Sequence, residues 1–217
     1  VSFFYAFFFT RFLHVSYMVC HARNLTNLSY MQANCSICVH TNTLLCINRD
    51  PSYMARLILV CGPTGVGKTT YSLSLSKEIG AIRFSIDPWM QTLFSKDMVS
   101  LDYAWMIERV NRCCEQIWHI SEQVLALDGH VVLDLGFTTK AQREEFVGRA
   151  KKLDINPEVH YLDAPKEIRK GRIARRNAEK DPSVYSFEVT DMMFNFMESR
   201  FEAPDQDELV NGCRVNA

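Results

Sequence analysis

Residues Gly62-Pro63-Thr64-Gly65-Val66-Gly67-Lys68-Thr69 spell G-x-x-x-x-G-K-S/T, the phosphate-cradling pattern known as Walker A. Glycine permits positive φ and lets backbone approach a ligand closely. Successive amide N–H groups in such a loop form a nest for anions. Lys68 is expected to reach the β- and γ-phosphates of a nucleotide, and the Thr69 hydroxyl to bind Mg²⁺. The candidate nucleotide-binding set is Gly62, Pro63, Thr64, Gly65, Val66, Gly67, Lys68, Thr69 and Thr70.

Two acidic residues and a run of arginines could complete the chemistry. Asp134 lies inside the apolar run His130–Phe137. A carboxylate buried there is costly without a partner, and Mg²⁺, held directly or through water, would supply one. Asp87 precedes Pro88 at the end of another apolar run. It could accept the proton of a substrate hydroxyl, or serve as a helix N-cap ahead of a proline-started turn. Residues 166–180 carry seven basic and two acidic side chains. Arg169, Arg172 and Arg176 recur at i, i+3 and i+7 and share a helical face. That face could close over a nucleotide and offset charge on a transferred phosphoryl group. An ordinary solvated basic face has the same pattern.

These residues need elements to hold them. Arg56–Cys61 is short, apolar and rich in branched residues, as a strand buried on both faces of a parallel sheet would be. A helix follows the glycine loop to about Ile79, its N-terminus aimed at the anion. Leu75 and Ile79 are expected to form its buried stripe, and Gly80 its stop. Ala81–Ile86, His130–Phe137 and Pro157–Leu162 read as further strands, and the last strand falls at Leu209-Val210 or Arg214-Val215. Residues 101–127 read as one long helix with a stripe at Tyr103, Met106, Val110, Cys113, Ile117, Ile120, Val124 and Leu127. Cys113, Cys114, Trp105 and Trp118 read as packing residues. Thr138 and Thr139 open a helix containing Arg143, and Asp163-Ala164-Pro165 opens the basic one. Trp89, Phe94, Phe137 and Arg143 are candidates for an acceptor pocket.

The composition divides the chain near Met54. Residues 1–53 hold ten of the 25 aromatics but a single acid, Asp50, whereas 54–217 hold 21 Lys and Arg against 24 Asp and Glu. The first part is expected to be an N-terminal extension, 1–53, with little ordered structure or arising from a misplaced start. A membrane-touching or targeting tail is the alternative. Its run Phe3–Phe9 stops at Thr10-Arg11, short of the about 20 apolar residues that span a bilayer, so no membrane partner is expected. Sequons at Asn24, Asn27 and Asn34 would suit a secreted chain, but the nucleotide motif points to a cytoplasmic one. Cys35-x-x-Cys38, His40, Cys46 and Cys20-His21 lack a second closely spaced ligand pair, so zinc is not assigned. The net charge of −1 gives no reason to expect a nucleic-acid partner.

There is no guanine-reading Asn-Lys-x-Asp, and no room for the sensor and arginine-finger segments of a ring ATPase. From Arg56 to about Glu208 the chain resembles the P-loop kinase-like ATP-binding proteins called the "AAA domain" family. These are related to zeta toxins, chloramphenicol phosphotransferase and the kinase domain of polynucleotide kinase. The likeness rests on GPTGVGKTT, FSIDPWMQTLF, VVLDLGFTTKAQREEF, HYLDAPKEIRKGRIARRNAE and FEAPDQDE. It implies an α/β P-loop NTPase fold at 54–217: a parallel sheet of about five strands, helices on both faces and a helical lid. It also implies ATP and Mg²⁺ as cofactors and phosphorylation of a hydroxyl on a small-molecule acceptor. By resemblance Lys68 and Thr69 take the Walker A roles, Asp87 is the substrate-side base, and Arg172 and Arg176 match the family's lid arginines. Two rival readings are an ATP-dependent switch or toxin-type protein with little turnover, and a nucleic-acid end kinase.

Overall fold

The computed structural model describes residues 54–97, 102–181, 185 and 187–217. The expectations for the N-terminal extension, its sequons and its cysteines lie outside the described residues.

Five parallel strands form one sheet in the order β2-β3-β1-β4-β5. They are β1 (Leu57–Cys61), β2 (Ile82–Ser85), β3 (Val131–Asp134), β4 (Glu158–Asp163) and β5 (Cys213–Asn216). The last strand thus falls on the second of the two expected places. Leu209-Val210 is a turn, and β5 pairs with β4 through His160↔Cys213 to Asp163↔Asn216. Parallel strands need long crossovers, and helices supply them: α1 (Lys68–Glu78), α2 (Ile86–Phe94), α3 (Tyr103–Ala126), α4 (Lys140–Lys151), α5 (Lys166–Glu179) and α6 (Asp191–Glu198).

Every residue of β1 is buried, and alternation along it separates two cores. Leu57, Leu59 and Cys61 face a cluster with Cys113, Ile117, Trp118 and Leu125 of α3 and Phe146 and Ala150 of α4. Ile58 and Val60 face the other way, toward Val132, Leu162 and the partly buried Tyr71, Leu75 and Ile79 of α1. Helices on both faces follow.

One expectation about helix faces is extended and one is corrected. In α1 Leu75 and Ile79 are partly buried against the sheet as expected, and Ser72 and Ser76 on the same face are buried deeper. The small hydroxyls sit against the sheet with acceptors in their own helix, Thr69 O at 3.1 Å from Ser72 Oγ and Leu73 O at 3.0 Å from Ser76 Oγ. In α3 the central stripe is buried, but Tyr103 and Leu127 at the two ends are exposed. Cys113, Cys114 and Trp118 do pack. Helix α6 carries no strong sequence signal of its own. Its Phe194 is buried with Ile173 and Val189, and the cations of Lys166, Arg169 and Lys170 stand around that ring. No helix among the described residues is long and apolar enough to cross a membrane.

Helix α4 begins with Thr139 as N-cap in a full capping box with Gln142. It carries Arg143, 1% exposed and the largest fully buried side chain. Arg143 binds Glu208 with two bonds of 2.6 and 3.0 Å and the carbonyls of Phe137 and Glu202. It ties the C-terminal segment to the body. Arg143 and the core residue Phe137 are therefore not acceptor-pocket residues, because their polar and apolar surfaces are already occupied. Trp89 and Phe94 are partly buried against the same core.

Candidate functional site

The loop between β1 and α1 sits at the carboxyl end of the sheet, where strand order reverses. Chain direction sends β2 to one side of β1 and β4 to the other, and such a crevice is where open α/β sheets bind ligands. Gly67 ends the loop with φ of 105°, and α1 starts at Lys68 with no side-chain cap. Its first amide groups are thus left for a ligand. A Cβ on Gly65 would lie 2.7 Å from the Arg169 carbonyl and 2.8 Å from Ile173 Cδ1. Only glycine lets α5 pack this closely on the loop.

Lys68 Nζ donates to the carbonyls of Gly62 at 2.7 Å and Pro63 at 3.1 Å. Burial holds its ammonium below the ordinary lysine range, and Asp134 and Asp87 pull it back up. Thr69 occupies the first turn of α1 and makes no hydrogen bond through its side chain among the described residues. Thr70 is exposed on the same turn.

Asp134 ends β3 next to the loop-bearing strand, where Leu59 pairs with Leu133. It is 5% exposed. Among the described residues its hydrogen bonds all go to Oδ2: from Arg83 Nη2 at 2.6 Å, Ser72 Oγ at 3.2 Å and Ser85 Oγ at 3.4 Å. Oδ1 and the Thr69 hydroxyl are hard oxygen donors left over, which suits Mg²⁺. Among the described residues no group of three His, Cys, Asp or Glu is placed to hold a metal by itself, so Mg²⁺ here would need phosphate oxygens as well.

Asp87 is not an N-cap. Ser85 is the last extended residue, α2 starts at Ile86, and Asp87 and Pro88 lie in its first turn. Proline is tolerated there because that N–H has no helical partner. The Asp87 carboxyl is half-buried and makes no hydrogen bond among the described residues. Burial pushes it above the ordinary aspartate range, the charge of Asp134 pushes the same way, and Lys68, Arg176 and Arg83 oppose. Asp87, Asp134, Lys68 and Arg176 therefore share one electrostatic neighbourhood.

The three arginines of α5 separate by contact. Arg169 is buried; it donates to Glu198 at 2.7 and 2.6 Å, to Ala164 O at 3.0 Å and to Thr64 O at 3.2 Å. Its work is to fasten α5 to α6 and the loop, and not to meet a ligand. Arg172 Nη1 donates to Val66 O at 3.0 Å, across the loop. Arg176 differs: its Nε and Nη2 are buried and have no hydrogen-bond partner among the described residues. An unsatisfied buried guanidinium is costly, and an anion beside Asp87 and the loop would satisfy it.

The pattern reading missed Arg83 and Ser72, which grip Asp134, and Met197 and Phe201, which line a hollow of about 50 Å³ with Gly62, Pro63, Thr64, Lys68, Gly136 and Thr138. An arginine within the strand run Ile82–Ser85 was the available signal for the first. A larger cavity, about 350 Å³, lies between α5 and α6 and touches none of the loop residues.

A family model described as AAA domain matches residues 57–204, more than half of the chain. A comparison with curated proteins gives no match. Among solved structures, the fold is similar to that of a Chloroflexus aurantiacus protein provisionally named a kinase, with 17% identity, 75% of this chain and 85% of that chain covered, and a TM-score of 0.59. It is also similar to Chaetomium thermophilum Kti12 in complex with ADP-AlF3, with 17% identity, 74% and 88% covered, and a TM-score of 0.57. A chain of the Pnkp1/Rnl/Hen1 RNA repair complex has 16% identity and a TM-score of 0.51 over 69% of this chain, which spans 47% of that one. At these identities the likeness establishes a P-loop kinase-like fold.

Proposed function

The chain belongs to the AAA domain family, and on that premise we propose that it binds ATP with Mg²⁺ and transfers the γ-phosphate to a hydroxyl of a small molecule in the cytoplasm. The observation that carries this reading is the arginine of the lid helix whose buried Nε and Nη2 lack a partner among the described residues, in the same field as Asp87 and Lys68. Kti12, similar in fold, is seen with ADP-AlF3, which supports a nucleotide at the loop.

Lys68 exchanges the carbonyls of Gly62 and Pro63 for the β- and γ-phosphates, and the amides at the start of α1 meet the same oxygens. Gly62 to Thr70 form the cradle. Thr69 and Asp134 would hold Mg²⁺, which would supply charge neutralisation to the transferred phosphoryl group. Asp87 accepts a hydrogen bond from the acceptor hydroxyl and takes its proton as the acceptor oxygen bonds to the γ-phosphorus. The bond from that phosphorus to the β–γ bridging oxygen breaks, and its electrons leave with ADP. A carboxyl held above its ordinary pKa is the better base for this transfer. Arg176 and Arg172 offset charge on the equatorial oxygens.

The test uses ATP labelled at the γ-phosphate and a pool of sugars, polyols, nucleosides and amino alcohols. Label transfer to an acceptor is expected. With the acceptor found, Asp87→Asn should leave ATP binding unchanged and reduce transfer by roughly 10²–10⁴-fold. Full transfer by Asp87→Asn would remove the base. ATP binding with no transfer or consumption would favour the switch instead.

A further inference from the structure

The carboxylate at the end of β3 already has a cation. Arg83 Nη2 and Asp134 Oδ2 are 2.6 Å apart, with side chains 14% and 6% exposed. The arginine is held from a second side, since its Nε donates to Ser72 Oγ at 2.6 Å. Ser72 Oγ in turn lies 3.2 Å from Oδ2 and 3.1 Å from Thr69 O, so its one proton can serve either. Strand register makes this arrangement. Ser85 pairs with Asp134 and Arg83 with Val132, so Arg83 and Ser85, two residues apart, share the face on which Asp134 lies. Helix α1 brings Ser72 down on that face from the loop itself. Three donors from two elements converge on one carboxylate oxygen, and among the described residues the other oxygen is left out of the network.

The guanidinium holds its fork rigidly. It does two things to Asp134. It fixes the carboxylate plane through Oδ2, and it offsets the charge that a divalent cation would otherwise find at Oδ1. A single carboxylate so neutralised is a poor site for free metal. Mg²⁺ in any case prefers one or two carboxylates together with substrate phosphates. We infer that Arg83 is a positioning residue for the metal site: it leaves Oδ1 of Asp134 to the metal, keeps affinity for metal alone low, and so makes metal entry depend on nucleotide. The inference rests on the reading of Asp134 as a metal ligand.

The Arg83 charge opposes a second cation at the same carboxylate, and a doubly charged ion feels that field strongly. The test is binding of Mn²⁺ to the full chain without nucleotide, read by the loss of its free electron-spin resonance signal. Arg83→Gln should bind Mn²⁺ at least about tenfold more tightly than wild type. Adding Asp134→Asn to Arg83→Gln should return the affinity to the wild-type level. Arg83→Lys keeps the charge but loses the fork, and should show a smaller rise of about threefold. Equal Mn²⁺ affinity in folded Arg83→Gln and wild type would overturn the inference. An Arg83→Gln chain that folds only when Mn²⁺ is added would support it, since metal then replaces the missing cation. If that variant fails to fold even with Mn²⁺, Arg83→Lys decides: unchanged affinity overturns the inference. Asp134→Asn alone separates the two levels. If the Mg²⁺ dependence of ATP binding survives it, Asp134 is not a metal ligand. If that dependence is lost while Arg83→Gln leaves Mn²⁺ affinity unmoved, only the role of Arg83 falls.

Discussion

The two faces of the sheet use the same strands for different work. On the side of α3 and α4, Leu57, Leu59, Cys61, Phe84, Leu133 and Tyr161 meet a continuous layer of apolar and aromatic side chains. On the side of α1 only a central strip is apolar, with Ile58, Val60, Val132 and Leu162. Polar groups flank it. Arg83, Ser85, Asp134 and Ser72 lie toward β2, and His160 lies toward β5, where it meets Tyr71 at 2.7 Å and Glu158 at 3.2 Å. Alternation of period two lets neighbouring residues of one strand serve opposite needs. The apolar face supplies stability. The other face gives up some apolar burial so that charged groups can stand beneath the helix that carries the loop.

The comparison can be broken on its apolar side first. Phe146 sits edge-on to Trp118 at 5.6 Å and to Phe137 at 5.1 Å. Phe146→Ala should cost about 3–5 kcal/mol of folding stability, read from denaturant titration, while the folded fraction keeps its ATP-induced stabilisation. A small loss, or a loss of ATP response in the folded chain, would show that the two faces are not separable in this way.

A smaller effect should appear on the polar side as a pH slope. Burial holds His160 below its ordinary value of 6.5, although Glu158 pulls it up. The unfolded chain therefore takes up this proton at higher pH than the folded one. The resulting stability is fully present above about pH 6.5 and is lost as pH falls toward the folded-state value. His160→Gln should flatten that part of the curve. Melting temperatures at pH 7.5 and 5.5 for both chains check it, and equal losses would remove His160 as the cause.

What could be read from sequence was local. The loop, its flanking strand and helix, and the glycine stop, with Gly80 at φ of 66°, are contiguous patterns. The strands of the sheet were visible as short apolar runs for the same reason. The misses are pairings between distant positions. Arg83 meets Asp134 across 51 residues and Arg143 meets Glu208 across 65, and neither separation leaves a trace in periodicity. The face of α1 was legible from Leu75 and Ile79, but apolar pattern does not reveal the deeper Ser72 and Ser76 between them. Close approach to the sheet favours small Ser72 and Ser76, whose hydroxyls are satisfied within the helix. Arg169, Arg172 and Arg176 share one helical spacing, but only contacts with Glu198, Val66 or no partner tell them apart.

The central claim is that the loop between β1 and α1 holds ATP through Lys68. Thermal unfolding of the full chain with and without Mg²⁺-ATP tests it most directly. At 100 times its Kd a ligand adds about 2.7 kcal/mol to apparent stability, a shift that is easily seen. The account predicts that shift in the wild-type chain and its disappearance in Lys68→Ala, with both chains melting at similar temperatures when no nucleotide is present. Equal ATP-induced shifts in the two chains would contradict it.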